Sequence, residues 1–224
     1  RYTAIVPKRP YPRDMADIYA FPTGAPNEGH PERPQGVPDD VWAAVESVSA
    51  MKRLYDVRYR EIPVPSTLAD YGIGVELEAG ERMDSHPFAA DSVSEPHVAT
   101  GWVMTLYSHE LRPDWNSNWR CVAFARLPLE PSENDSLAPG MYWEDMCDYL
   151  GEVEPDSISG TVTVTQNTTF GLMAGSTSAG CEIRVSWTPL DGTGPGGTMD
   201  AGAQVNSWAA FIRSTTRREE DDAS

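Results

Sequence analysis

Side chains able to do chemistry are few and scattered in this chain of 224 residues. The soft metal ligands are His30, His86, His97, His109, Cys121, Cys147 and Cys181. No two stand at zinc-finger spacing, and no Cys-x-x-Cys occurs. Each cysteine lies on or beside an apolar stripe, where a free thiol behaves as a small hydrophobe. The expectation is three reduced core cysteines and no metal site. Ser108-His109-Glu110 has the residue types of a hydrolase triad. Neighbours on a strand point to opposite faces, so adjacency alone cannot assemble one. Glu144, Asp145 and Asp148 share a helix surface, where close carboxylates can split their pKa values. With no opposing His or Lys in view, they read as a wetted face. The glycine-rich run 192–197 lacks the Lys and Ser/Thr of a phosphate loop, and Pro195 removes one amide. No catalytic residue and no cofactor are assigned.

The remaining candidates serve recognition. Trp115 sits in a turn with Arg112, Pro113, Asp114 and Asn116. A tryptophan in a polar rim is the kind of residue that anchors a partner. His109, Arg112, Trp115 and Arg120 are therefore the expected partner-binding residues.

Charge narrows the partner. The formal net charge is −17, with 34 acidic residues against 17 basic ones. Gripping nucleic acid requires Lys and Arg to neutralise phosphates, so direct nucleic-acid binding is not expected. Adsorption to anionic lipid is opposed for the same reason. No apolar run approaches the roughly 20 residues of a membrane helix. No secretory signal is visible, and three cysteines cannot all pair, so a cytoplasmic location is expected. The chain starts with Arg1 rather than Met, so its true start is expected upstream. Among the basic residues only Lys8 and Lys52 are lysines. That bias points to a GC-rich genome.

The elements that must position these residues follow from periodicity. Residues 1–38 hold eight of the 19 prolines and read as an extended arm, either strapped on by its aromatics or free. A helix follows Pro38, capped by Asp39 or Asp40, with Val41, Ala44, Val45 and Val48 on one face and Met51 and Tyr55 continuing near it. Val57–Ile62 is a strand with Arg58 and Arg60 outward. Ile73, Val75 and Leu77 alternate with Gly74, Glu76 and Glu78, a strand with one wet face. Residues 79–99 are an acidic loop. Trp102–Tyr107 and Trp119–Leu127 read as central strands. A helix over Met141–Leu150 buries Trp143, Met146, Cys147 and Leu150, with Gly151 as its C-cap. Val162 and Val164, then Ile183, Val185 and Trp187, mark two more strands. The last helix carries Val205, Trp208 and Ile212 on one side, with Phe211 beside them. Trp102 is counted with the core tryptophans. Residues 214–224 form a charged tail.

Strands joined without crossover helices make an antiparallel sheet. The expected fold is α+β: a two-layer sandwich over residues 39–213, with helices on one face. Its element order is similar to that of small secretion-chaperone-like domains, which are often dimeric.

The run W-N-S-N-W-R at Trp115–Arg120 continues into V-A-F-A-R-L-P-L-E-P, then W-E-D-M-C-D-Y-L, S-G-T-V-T and E-I-R-V-S-W-T-P. In this order the motifs resemble an actinobacterial family, domain of unknown function 3000. Glu61-Ile62-Pro63-Val64-Pro65 with Leu68-Ala69 also fits. The resemblance covers about residues 40–213 and implies actinobacterial origin, with no assigned activity, substrate or cofactor.

The expected function is a non-enzymatic, acidic interaction module, dimeric in one version, that binds a basic or extended protein segment. Two other classes stay open. One is an enzyme with a site near His109 and Arg120. The other is an accessory factor in RNA metabolism that acts through a protein partner.

Overall fold

The computed structural model describes residues 33–80, 98–129, 135–168, 170–171 and 177–216. The expected arm up to residue 32, most of the acidic loop and the tail beyond Thr216 lie outside them. Six strands form one open sheet in the order β1-β2-β3-β4-β6-β5, every neighbouring pair antiparallel. They are β1 (Val57–Glu61), β2 (Tyr71–Ala79), β3 (Ala99–Arg112), β4 (Ser117–Leu129), β5 (Ser159–Thr168) and β6 (Thr177–Trp187).

Alternation decides which face meets the helices, because successive side chains of a strand point to opposite sides. Ile73, Val75 and Leu77 of β2 pair with Thr105, Val103 and Gly101 of β3. Cys121, Ala123 and Ala125 of β4 continue this layer to Trp187, Val185 and Ile183 of β6. Val162 and Val164 of β5 complete it opposite Ile183 and Cys181. The strands of this layer in β2, β3, β4 and β6 are buried. The two valines of β5 are half-buried against the same core.

Three helices cover that face: α1 (Asp39–Ala50), α2 (Ala138–Tyr149) and α3 (Ala201–Ser214). The third lies across β2, β3 and β4, with α1 beside it and α2 between it and β5. Asp200 starts α3 by accepting from the Ala203 amide at 2.9 Å, which satisfies one of the unpaired N–H groups of a helix start. Two glycines permit the close packing. A Cβ on Gly202 would stand 2.5 Å from the Ser47 carbonyl oxygen of α1. A Cβ on Gly101 would stand 2.7 Å from the Ile212 Cδ1 atom and 2.4 Å from the Phe124 carbonyl oxygen. Trp187, Trp208 and Phe211 are fully enclosed at the centre and touch ring to ring. Truncating one such ring costs about 3–5 kcal/mol.

The antiparallel α+β sandwich with helices on one face is thus the fold. Four strands precede α2, one more than in the secretion-chaperone-like order. Several local readings need correction. Pro38, not Asp39 or Asp40, is the residue before α1, and no side chain caps that end. Asp39 instead pairs with Arg33 at 2.5 Å. Tyr55 is 88% exposed rather than an extension of the α1 stripe. Trp143 and Cys147 are only partly buried, while Met146 and Leu150 carry the α2 contact. The left-handed residue after α2 is Glu152, φ 56°, and not Gly151. Trp102 points to the helix-free face, where it stacks on Phe124 at 6.1 Å between centroids. On that face Val64 and Ile62 close over Gly72 and Gly74, so β2 is dry there at one end. All three cysteines are free, Cys121 and Cys181 buried and Cys147 partly so.

Candidate functional site

One end of the sheet gathers the ends of β3, β4, β5 and β6. The β3–β4 turn is held by the Trp115 amide, which donates to the Arg112 carbonyl at 3.0 Å. Asn116 takes a left-handed conformation, φ 51°, which its short polar side chain tolerates. The Arg112 guanidinium donates to both Asp114 carboxylate oxygens, at 3.2 and 3.1 Å. It also lies 4.4 Å from the centroid of the Trp115 ring, close enough for a cation–π contact. These contacts fix the ring, which stays half-exposed.

The second wall is the connection from α2 to β5. Val153 bridges to Pro189, the Glu154 amide donates to the Thr188 carbonyl at 2.9 Å, and the Leu190 amide donates to the Glu152 carbonyl at 2.7 Å. A tight 3-10 turn, Pro155–Ser157, follows. The Thr188 amide donates to the Ser157 hydroxyl at 2.8 Å, and the Thr188 hydroxyl donates to the Trp115 carbonyl at 2.7 Å. Thr188 thereby joins both walls. Beneath them Gln204, 1% exposed, accepts from the Trp187 indole at 2.7 Å and donates to the carbonyls of Gly151 and Glu152 at 3.3 Å. The wall therefore rests on a satisfied polar contact in the core.

Between the walls is a cleft of about 670 Å³. Trp115, Arg120, Asp114, Glu154, Asp156 and Asp191 give it its character. The Arg120 guanidinium donates only to hydroxyls: Ser186 at 2.7 Å, Thr188 at 3.1 Å and Ser159 at 3.5 Å. No carboxylate lies within ion-pair distance of it among the described residues. Burial lowers its pKa, because an enclosed charge is held less firmly, and the charge of Asp114, beyond ion-pair distance, offsets only part of this. The Asp114 carboxyl is held below its usual range by the Arg112 hydrogen bonds. Asp191 is pushed the other way, first by burial and then by the charge of Asp40 at the start of α1. Among the described residues the cleft therefore holds Glu154, Asp156 and Asp191 on its rim with no ion pair, and in its floor a guanidinium that is hydrogen-bonded only to hydroxyls.

Three of the four expected partner-binding residues meet here: Trp115 and Arg120 line the cleft, and Arg112 braces Trp115. His109 does not join them. Its ring packs edge-on against Tyr71 and Tyr107, at 5.4 and 5.7 Å, and its backbone amide donates to Asp70. Tyr71 and Tyr107 belong to the helix-facing layer, whereas Arg120 points to the other face, so the sheet separates His109 from Arg120. The site also contains residues that the sequence reading did not single out: Glu154, Asp156, Ser157, Ser159, Ser186, Thr188 and Asp191. A usable signal existed. In an antiparallel β5–β6 pair, the start of one strand meets the end of the other. That brings E-P-D-S and W-T-P-L-D side by side.

Among the described residues no imidazole or thiol lines the cleft. Among the described residues no group of three or more His, Cys, Asp or Glu is placed to hold a metal ion. What the walls offer is hydrogen-bond donors, an aromatic face and carboxylates, which suit the binding of a polar chain.

Fold and cleft together define an α+β protein with an open antiparallel sheet, helices on one face and an acidic cleft at one sheet end. A family model described as protein of unknown function, DUF3000, matches residues 37–217. The chain belongs to that family. No curated protein and no solved structure matches it. No helix of the described residues is long and apolar enough to cross a membrane.

Proposed function

We propose that the protein is a non-enzymatic interaction module that holds a basic, extended protein segment in the cleft between Trp115 and Asp191. The observation that carries this reading is the charge arrangement. Among the described residues four carboxylates rim the cleft, and the one guanidinium that lines it, Arg120, is bonded only to hydroxyls. A Lys or Arg of the segment relieves the charge at Glu154, Asp156 and Asp191. Arg120 can donate to the segment's backbone carbonyls, which an extended chain leaves unpaired. Trp115, braced by Arg112, offers a flat face for proline or aromatic rings, as in grooves that take polyproline II chains.

This reading fits a protein acting in the cytoplasm of an actinobacterium, with neither nucleic acid nor membrane as its direct partner. An accessory role in RNA metabolism would pass through the protein it holds. His109 has no part in the binding surface. The test is a peptide array probed with the full chain. Basic peptides rich in proline and aromatics should capture it, and acidic peptides of the same apolar content should not. Equal capture of both would end the proposal.

A further inference from the structure

The distribution of cations along the chain is uneven. Residues 1–13 read R-Y-T-A-I-V-P-K-R-P-Y-P-R: Arg1, Lys8, Arg9 and Arg13 with no acidic residue, three prolines and two tyrosines. All 34 acidic residues follow. The segment thus has the chemistry that the cleft selects: cations for its carboxylates, and proline and tyrosine rings for Trp115.

The described chain also enters at the right place. Arg33 donates to the Val37 carbonyl, and Tyr71 donates to the Gly36 carbonyl at 3.2 Å. Tyr71 packs on Tyr107, and Tyr107 on Trp119, on the helix-facing side of the strand whose other face carries Arg120. Asp40 is near enough to Asp191 to disfavour ionisation of its carboxyl. Residues 33–40 therefore stand at the same end of the sheet as the cleft. The covalent reach of the stretch between Arg13 and Arg33 is up to roughly 65 Å, so chain length sets no limit.

We infer that residues 1–13 of this chain occupy its own cleft and compete there with the partner segment. This inference rests on the binding role proposed for the cleft and adds a regulator to it. A segment carried on the same chain meets the cleft at an effective concentration on the order of 1 mM. Against a Kd of about 100 μM for the same segment in trans, that concentration lowers the apparent affinity for a partner about tenfold.

The experiment compares the full chain with the full-length variant Lys8→Glu/Arg9→Glu/Arg13→Glu. The probe is a labelled synthetic peptide, RYTAIVPKRPYPR, titrated into both. The second readout is the Trp115 indole N–H resonance, assigned with Trp115→Phe. The inference expects the peptide to bind the variant about tenfold more tightly, and the Trp115 resonance to move on charge reversal at low protein concentration. Equal peptide affinity for both chains with an unmoved resonance overturns it and leaves the binding role standing. A peptide that binds neither chain, while other basic peptides from the array bind both, overturns it as well. If no basic peptide binds either chain, the cleft's role falls together with the inference. A resonance change that appears only as protein concentration rises assigns the segment to a second copy and overturns docking within one chain.

Discussion

Gln204→Leu tests whether the cleft rests on the core as described. Gln204 is the acceptor for the Trp187 indole at 2.7 Å and the donor to the Gly151 and Glu152 carbonyls at 3.3 Å. Leucine is similar in size and makes none of these bonds. The indole N–H is then orphaned inside the core, which costs about 1–3 kcal/mol. The two lost donations add about 0.5–1.5 kcal/mol each where no water enters, though Glu152 keeps the Leu190 amide. The expected loss is about 3 kcal/mol. For a domain of this size that corresponds to a fall in Tm of roughly 6–12 °C. Urea denaturation measures it, together with the cycle through Trp187→Phe. The paired variant should lose less than the two singles added, with a coupling of about 1 kcal/mol or more. The Glu152–Ser157 wall should also loosen, so peptide binding weakens in the same variant. A loss below about 1 kcal/mol with no coupling would refute the network.

Met146→Ala should lose about 2–5 kcal/mol and Trp143→Ala clearly less, because Met146 is enclosed and Trp143 half-exposed; denaturant melts showing the reverse order would mean that α2 packs by another face. Burial pushes the Cys121 and Cys181 thiols up to about 12, and burial followed by Asp148 and Glu144 raises Cys147 as well. Native alkylation followed by peptide mapping should find Cys147 slowly modified and the other two protected until unfolding. The two buried thiols stay protonated in the folded chain while the unfolded ones ionise, so stability from this source is full below about pH 8.5 and falls as pH rises above it; stability that climbs between pH 8.5 and 10 would contradict this. Single-stranded RNA should bind no more tightly than about 1–100 μM near 0.15 M salt in an anisotropy titration, and a Kd below about 1 μM would break the charge argument.

The sequence shows a residue's face far better than what covers that face. Alternation in Ile73–Leu77, Val162–Val164 and Ile183–Trp187 located the helix-facing layer, and the stripe in Val205–Ile212 located α3. Trp102 was misplaced because β3 is apolar on both sides, and a two-sided run does not say which side the helices take. Trp143 was overrated because the stripe of α2 ends at the edge of the packed area. The cleft was half legible. Trp115 and Arg120 stand out by type and neighbours; the β5–β6 pairing brings Glu154 and Ser159 beside Thr188 and Asp191, but that group meets Trp115 and Arg120 only because the sheet order places β6 next to β4. His109 drew attention by type alone, and Tyr71 and Tyr107 hold it on the opposite side of the sheet from Arg120.

The helix-free face supplies the control for the central claim. Trp102, Val122, Phe124 and Arg184 line a shallow depression of about 400 Å³ there, a rival surface for an extended partner. Calorimetric titration of a basic proline–tyrosine peptide into the full chain, and into its Trp115→Ala, Arg120→Ala and Trp102→Ala variants, decides between the two. The account predicts that Trp115→Ala and Arg120→Ala each weaken binding about tenfold or more, the scale of an interface anchor, while Trp102→Ala leaves it unchanged. Binding lost in Trp102→Ala and retained in both cleft variants would contradict it.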